Sequence, residues 1–416
     1  MVSAALSAVD ARRAVSRALD GLSDTLTREP RLRVVAAGKA ALGMVHAAND
    51  AFGQRISAGV ATVSSSDPAQ GRWRFIAGTH PRPGPESEAA GRAALALADQ
   101  TRAEHGLLLV LLSGGASSML AVPADGLTIA EKSATNAVLL RSGVDIAALN
   151  LVRKHLSAIK GGQLAARARR TVTLAISDVC TPVEDDPAVI GSGPTAGDDS
   201  TFADALSVIT RHHLEHDIPP AALQRLRDGV AGRVTGPVGR DDARLSEAAY
   251  WIVASRHDAM RAARETAGRL GYQVAVVTPP TIGDAREAFA PLLAQARELT
   301  RPACLIASGE TTVEVRGRGR GGRNQELAVA ALEGLAGASP AALASLGTDG
   351  VDGPTDAAGA LVGSEMWGVL GPQAATRVAA ALRENDSYPL LDTLGALVRS
   401  GPSGTNVGDL QVLLLP

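Results

Sequence analysis

The chain is 416 residues long, enough for two to three domains at roughly 100 to 200 residues each. Its formal charge is −2, only 2% of it is aromatic and no basic tail is present, which argues against a dedicated nucleic-acid binder built on electrostatic footing and stacking platforms. Its 41 basic residues are 37 Arg and only four Lys, at 39, 132, 154 and 160, and alanine supplies 77 positions, so core layers must be built from Ala, Val, Leu and Ile.

Cys180 and Cys304 cannot make a disulfide framework, and they lack zinc spacing. Residues 1–20 interrupt Ala and Leu with Asp10, Arg12, Arg13, Arg17 and Asp20, unlike the apolar core of a signal peptide. The longest purely aliphatic run, Leu107–Leu112, falls far short of the ~20 apolar residues that span a bilayer. The expectation is a soluble, cytoplasmic protein of a reducing compartment that acts on small molecules, with no nucleic-acid or membrane partner. Assembly into a homo-oligomer is left open.

Short aliphatic runs alternate with longer amphipathic stretches, the pattern of an α/β protein. Strands are expected at Val34–Ala37, Gly59–Val63, Leu107–Leu112 and Val172–Ile176. Helices are expected near 40–50, 86–104, 128–142 and 145–170. This reads as a doubly wound parallel sheet, whose ligands sit at the carboxyl ends of the strands. Between 211 and 247 the pattern loosens into prolines and glycines, which places a domain boundary near 240 and gives domains of 1–240 and 241–416. A second alternating unit follows, with strands near 250–254, 273–277, 303–307 and 311–315 and helices near 257–270, 283–299 and 324–335.

Six turns could carry chemistry. At Gly38-Lys39, Gly38 permits a tight strand-to-helix turn and Lys39 adds a point charge to an anion site; the following Ala40 and the Arg at 33 exclude a Walker A loop. In a chain that otherwise uses Arg, a Lys is informative, because ammonium and guanidinium differ in size and hydration. Ser113-Gly114-Gly115-Ala116-Ser117-Ser118 presents backbone and hydroxyl donors to a phosphate or carboxylate, and serves equally as an ordinary capped turn. Asn150 to Gln163 crowds Arg153, Lys154, His155 and Lys160 before Gly161-Gly162, an anion site or a solvated helix face. Asp178 ends a strand, where it could take a proton from a hydroxyl, hold Mg²⁺ through water, or cap the next turn.

The densest turn runs from Arg316 to Glu326. Gly317, Gly319 and Gly322 satisfy G-x-G-x-x-G, and the interleaved arginines suit a triphosphate better than a pyrophosphate. Gly347 to Asp356 holds Asp349, Asp352 and Asp356, suggesting a cation or a hydroxylated ligand without EF-hand spacing, and Gly401 to Asp409 is a further polar loop. His212, His213 and His216 read as a solvated cluster rather than a metal site.

Seven strings, in order, resemble the class II glycerate 2-kinases: Gly38 to Ala40, Ser113 to Ser118, Asn150 to Gly162, Ser192 to Thr195, Gly321 to Glu326, Gly347 to Asp356 and Gly404 to Asp409. The resemblance covers nearly the whole chain. It implies a Rossmann-like N-terminal domain, a smaller C-terminal α/β domain of MOFRL type with a cleft between them, and ATP- and Mg²⁺-dependent phosphorylation of D-glycerate to 2-phosphoglycerate. Carried over by position, it makes Lys39, Asp178 and Arg323 catalytic. The substrate- or nucleotide-binding positions expected beside them are Ser113, Gly114, Gly115, Ser117, Asn150, Arg153, Lys154, Lys160, Gly161, Gly319, Gly321, Gly322, Asn324, Asp349, Asp352, Thr405 and Asn406. The residues from Cys180 to Glu184 depart from the family pattern after Asp178, so metal ligands stay unassigned. Lys132, outside every motif, is expected to tolerate Arg silently.

Two other classes compete with this reading. An NAD(P)H-dependent hydroxypyruvate reductase would use the G-x-G-x-x-G turn, although the acidic residue expected ~20 positions on is not clearly placed. A non-catalytic nucleotide sensor is disfavoured by the density of charged loops at strand ends.

Overall fold

The aliphatic runs become strands because a strand buried on both faces needs no polar alternation. In the computed structural model, which describes residues 1–22, 26, 31–63, 71–338 and 340–416, the chain divides into two units. One unit is Ala11–Val253 and the other combines Met1–Asp10 with Ala254–Pro416.

The first unit holds β1 (Leu32–Ala37), β2 (Ile56–Val63), β3 (Trp73–Ala77), β4 (Leu107–Leu112), β5 (Arg170–Ile176) and β6 (Glu247–Ala254) in the order β3-β2-β1-β4-β5-β6. The pairs β2–β3, β1–β2, β1–β4 and β4–β5 are all parallel. All six residues of β4 are under 5% exposed. Each of these side chains is worth about 1.5–3 kcal/mol relative to leaving it in water. The sheet's order reverses between β1 and β4, so the crevice at their carboxyl ends is the topological switch point where such folds bind ligands.

The expected helix over 145–170 is two helices, Ile146–His155 and Gln163–Ala168. Gly161 and Gly162 separate them with φ of 58° and 77°, left-handed values that glycine adopts at little cost. The boundary expected near 240 also shifts. Val238 N–H donates to the Gly161 carbonyl at 2.8 Å and its own carbonyl accepts from Asp198 N–H at 2.7 Å. The Pro/Gly-rich stretch is therefore stitched into the first unit instead of linking two, and the strand expected near 250 closes the first sheet as β6.

The second unit is a mixed sheet of β7 (Gln273–Val276), β8 (Thr281–Asp284), β9 (Ala303–Thr312), β10 (Ala342–Gly347), β11 (Gly359–Gly363), β12 (Leu397–Val398) and β13 (Asp409–Leu415). Its order is β12-β11-β10-β13-β9-β7, with β8 pairing β9. The two strands expected at 303–307 and 311–315 are the single strand β9. Strand β13 runs antiparallel to both neighbours, β9 and β10, and so brings Asp409 opposite Gly309 and Gly347. The helix Arg323–Ala336 packs on this sheet through Leu327, Ala328, Ala331, Leu332 and Leu335, all fully buried. Thr405 Oγ1 donates to the Val9 carbonyl at 2.6 Å and so ties the N-terminal segment to this unit.

Candidate functional site

The first unit's candidate site grows from the ends of β1 and β4. Gly38 has φ of 114°, and a Cβ there would lie 2.3 Å from Ser113 Oγ and 2.4 Å from its carbonyl oxygen, so only glycine lets the two turns meet. Lys39 N–H donates to the Gly114 carbonyl at 2.8 Å, and Ala40 N–H donates to Ser113 Oγ at 3.0 Å. Ser113, expected as a ligand hydroxyl, is fully buried and ties the turns together. Lys39 itself is exposed, and a Cβ at Gly115 (φ 87°) would sit 3.5 Å from its Cγ and 3.2 Å from His80 Cδ2. Gly115 thus keeps the ground beside the Lys39 stem open.

Ser117 begins a second group. Its hydroxyl lies 2.8 Å from Ser192 Oγ and accepts from Lys160 Nζ at 3.2 Å. Lys160 Nζ also donates to the Gly191 carbonyl at 3.0 Å. Ser192 Oγ donates to Asn150 Oδ1 at 3.2 Å, and Arg153 reaches the same oxygen at 3.5 Å. Gly161 N–H donates to the Ser192 carbonyl at 3.2 Å, so this glycine supports the network from behind. Burial pushes the Arg153 guanidinium down to about 10. Burial, then repulsion from Lys132, Arg153 and Lys154, pushes Lys160 well below the usual range.

Lys154 stands apart from this group, because its ammonium forms a buried ion pair with Asp198. Burial alone would raise the Asp198 carboxyl, but hydrogen bonds from Lys154 and Ser200 more than offset it and hold the group low. Asp178 is half-buried just past β5, beside Ser177, whose Oγ accepts from Val179 N–H at 3.2 Å.

Lys132, expected to tolerate Arg silently, is tightly packed. It is 1% exposed, and its Nζ donates to the carbonyls of Arg153 at 3.0 Å and Leu156 at 2.9 Å, capping the end of the helix Ile146–His155. Burial pushes its ammonium down to about 7. Lys132→Arg is therefore expected to destabilise the fold by about 1–3 kcal/mol through overpacking. Denaturant unfolding checks this, and an unchanged midpoint would contradict it.

In the second unit the carboxyl ends of β9 and β10 and the start of β13 converge on Arg323. Its Nε and Nη2 donate to Asp409 at 2.6 and 3.0 Å, and its Nη1 donates to Glu310 at 2.7 Å. Asn324 Nδ2 donates to Asp409 at 2.9 Å, and Asn324 Oδ1 accepts from Ser345 Oγ at 2.7 Å. Asp409 is fully buried and burial raises its carboxyl to about 6, against the opposing pull of Arg323.

The glycine-rich turn before Arg323 is not an open cradle. A Cβ at Gly317 would meet the Glu384 backbone at 2.1 Å, one at Gly319 the Asp386 Cβ at 2.4 Å, and one at Gly321 the Ser387 Oγ at 2.1 Å. At Gly322 it would meet Asp352 Cγ at 2.3 Å. The free N–H groups that open the helix Arg323–Ala336 go to Asp352, which accepts from Asn324 N–H at 3.1 Å and Gln325 N–H at 2.9 Å. Asp352 is thus a buried cap, and Asp356 accepts from the Tyr388 hydroxyl at 2.6 Å and pairs with Arg399, so these two carboxylates of the loop have protein partners.

Asp349 is half-buried and its Oδ1 accepts from Val351 N–H at 3.1 Å; Asn406 Oδ1 accepts from Gly408 N–H at 3.3 Å. Among the described residues no group of three or more His, Cys, Asp and Glu is placed to hold a metal ion. Sequence reasoning did not single out Glu310, and quoted Ser192 and Asp409 only as the ends of strings. A lone acidic residue opening a hydrophobic strand was the available signal for Asp409.

Cations gathered beyond the carboxyl ends of a doubly wound sheet, and an arginine gripped by two carboxylates in a second α/β unit, are arrangements suited to small anionic ligands. A family model described as a domain of unknown function (DUF4147) matches residues 1–227, and one described as the MOFRL family matches residues 303–409. A D-glycerate 2-kinase of Thermotoga maritima is 36% identical over 405 residues, covering 92% of this chain and 91% of that protein. The crystal structure of a glycerate kinase from the same organism superposes with a TM-score of 0.85 at 34% identity, covering 100% of this chain and 97% of that one. A protein of Agrobacterium vitis named, provisionally, as a hydroxypyruvate reductase is 38% identical over 92% of this chain and 99% of its own. The chain belongs to the glycerate kinase family with a MOFRL-type C-terminal region.

Proposed function

We propose that the protein transfers the γ-phosphoryl group of ATP to the 2-hydroxyl of D-glycerate, giving 2-phosphoglycerate and ADP. Family names alone leave a reductase in play. The observation that counts against the reductase is the closed G-x-G-x-x-G turn, which equally withdraws the triphosphate cradle expected there: its glycines accommodate residues 384–387 and Asp352, and Asp352 occupies the helix N–H groups that a dinucleotide pyrophosphate would need.

Phosphoryl transfer asks a protein mainly for positioning and charge stabilisation. Lys39, exposed at the switch point, is the cation assigned to the transferring phosphoryl group. Asp178 orients the 2-hydroxyl and accepts its proton. Arg323 has five N–H donors, of which three are held by Asp409 and Glu310, leaving two for phosphate oxygens. Mg²⁺ usually keeps several waters and is held largely by substrate phosphates; among the described residues no group of three or more His, Cys, Asp and Glu is placed to hold it, so water and the ATP phosphates would supply most of its ligands. Bound there, it would neutralise charge on the β- and γ-phosphate oxygens.

No helix among the described residues is long and apolar enough to cross a membrane. The test is a paired assay. Purified protein with ATP, Mg²⁺ and D-glycerate is expected to release ADP only when glycerate is present. The same protein with hydroxypyruvate and NADPH is expected to oxidise no nicotinamide; the reverse pattern would overturn the proposal.

A further inference from the structure

A buried charge without a partner is among the costliest features a fold can carry, so it is kept where a ligand repays it. Lys160 is 2% exposed and has three N–H donors, yet its acceptors are two neutral oxygens, on Ser117 and Gly191. Arg153 reaches only Asn150 Oδ1, and its Nε is buried with no acceptor. Among the described residues neither cation has a carboxylate partner. Lys154 shows what a settled lysine looks like in the same region, paired with Asp198; Lys132 also lacks a carboxylate among the described residues but sits on two carbonyls at a helix C-terminus, where the helix dipole favours a cation. Lys160 and Arg153 are joined through Ser117, Ser192 and Asn150 into one hydrogen-bonded chain, with Ser117 and Gly191 both partly open to solvent.

We propose that Arg153 and Lys160, with the Ser117 and Ser192 hydroxyls, form the half-site that receives the carboxylate of the hydroxy-acid substrate. This rests on the glycerate kinase reading and assigns one of its two anions. A compact monoanion suits two cations set deep among neutral hydroxyls. A triphosphate carries more charge than the pair can balance and must stay joined to its nucleoside. The hydroxyls of Ser117 and Ser192 can exchange their mutual bond for the oxygens of the acid. Burial and repulsion from Lys132, Arg153 and Lys154 disfavour the Lys160 ammonium, and the opposite charge of a bound carboxylate would offset both.

The experiment measures steady-state KM for D-glycerate and for ATP in the wild type, Arg153→Gln and Lys160→Met. Loss of a charge-assisted contact is expected to raise KM for D-glycerate roughly 10- to 100-fold. KM for ATP should stay within about twofold of the wild type on the same reasoning. Arg153 is partly exposed, so Arg153→Gln decides the matter even if Lys160→Met fails to fold. A selective rise in the ATP value would make this a phosphate site, and unchanged constants in a folded Arg153→Gln would make the pair structural; either result overturns the proposal. Wild-type protein that releases no ADP with D-glycerate would instead refute the kinase reading itself.

Discussion

Lys39→Arg is expected to leave the fold intact and to lower kcat by roughly 10²- to 10³-fold. The side chain is exposed, so the change has no core to disturb, and the turn is held by backbone contacts to Gly114 and Ser113 that do not involve the ammonium. A guanidinium keeps the charge but is planar, wider and more weakly hydrated than an ammonium. Beside Gly115 and His80 it would carry its charge past the position the ammonium holds. Thermal unfolding and steady-state kinetics on the same preparation check both halves of this expectation. Near-normal turnover would remove Lys39 from the mechanism.

The second large effect concerns pH. Asp409, raised to about 6 by burial, grips Arg323 only as a carboxylate. Below about pH 6, protonation should loosen Arg323 and turnover should fall, and in Asp409→Asn this inflection should vanish. That variant should also turn over roughly 10- to 100-fold more slowly at neutral pH, the loss expected for a hydrogen-bonded charge partner. The stability term has the opposite sign to that of an ordinary paired carboxylate. A carboxyl whose folded-state pKa lies above the unfolded 3.8 binds its proton more tightly when folded. Its contribution, on the order of 3 kcal/mol, is therefore complete below pH 4 and lost as pH rises through 6. Asp198 behaves conversely, its contribution being lost as pH falls. Unfolding followed from pH 4 to 7 in wild type and Asp409→Asn isolates the Asp409 term; identical slopes would contradict it.

Some of this was legible in the chain itself. The run Leu107–Leu112 read as a strand and is one, and the glycine and hydroxyl turns after it and after β1 were placed at strand carboxyl ends, where they lie. The antiparallel half of the second sheet was not, because β13 pairs with β9 and β10 far back in the chain and the hydrophobic pattern of a strand does not name its partner. The four glycines from 317 to 322 read as room for a ligand, yet the room is filled by residues 384–387 and Asp352. A glycine needed for close approach looks the same in sequence whether the approaching group is a phosphate or the protein's own backbone. The lysines show the same limit. Rarity drew attention to all four positions, but only long-range packing separates Lys132 on its helix end and Lys154 on Asp198 from Lys160, which no carboxylate among the described residues meets.

The most direct test is the chemical form of the product. Phosphorus NMR of the mixture made from ATP, Mg²⁺ and D-glycerate should show a new phosphomonoester split into a doublet by the single proton on carbon 2. A triplet would place phosphate on the 3-hydroxyl, and no new resonance at all would contradict phosphoryl transfer to glycerate.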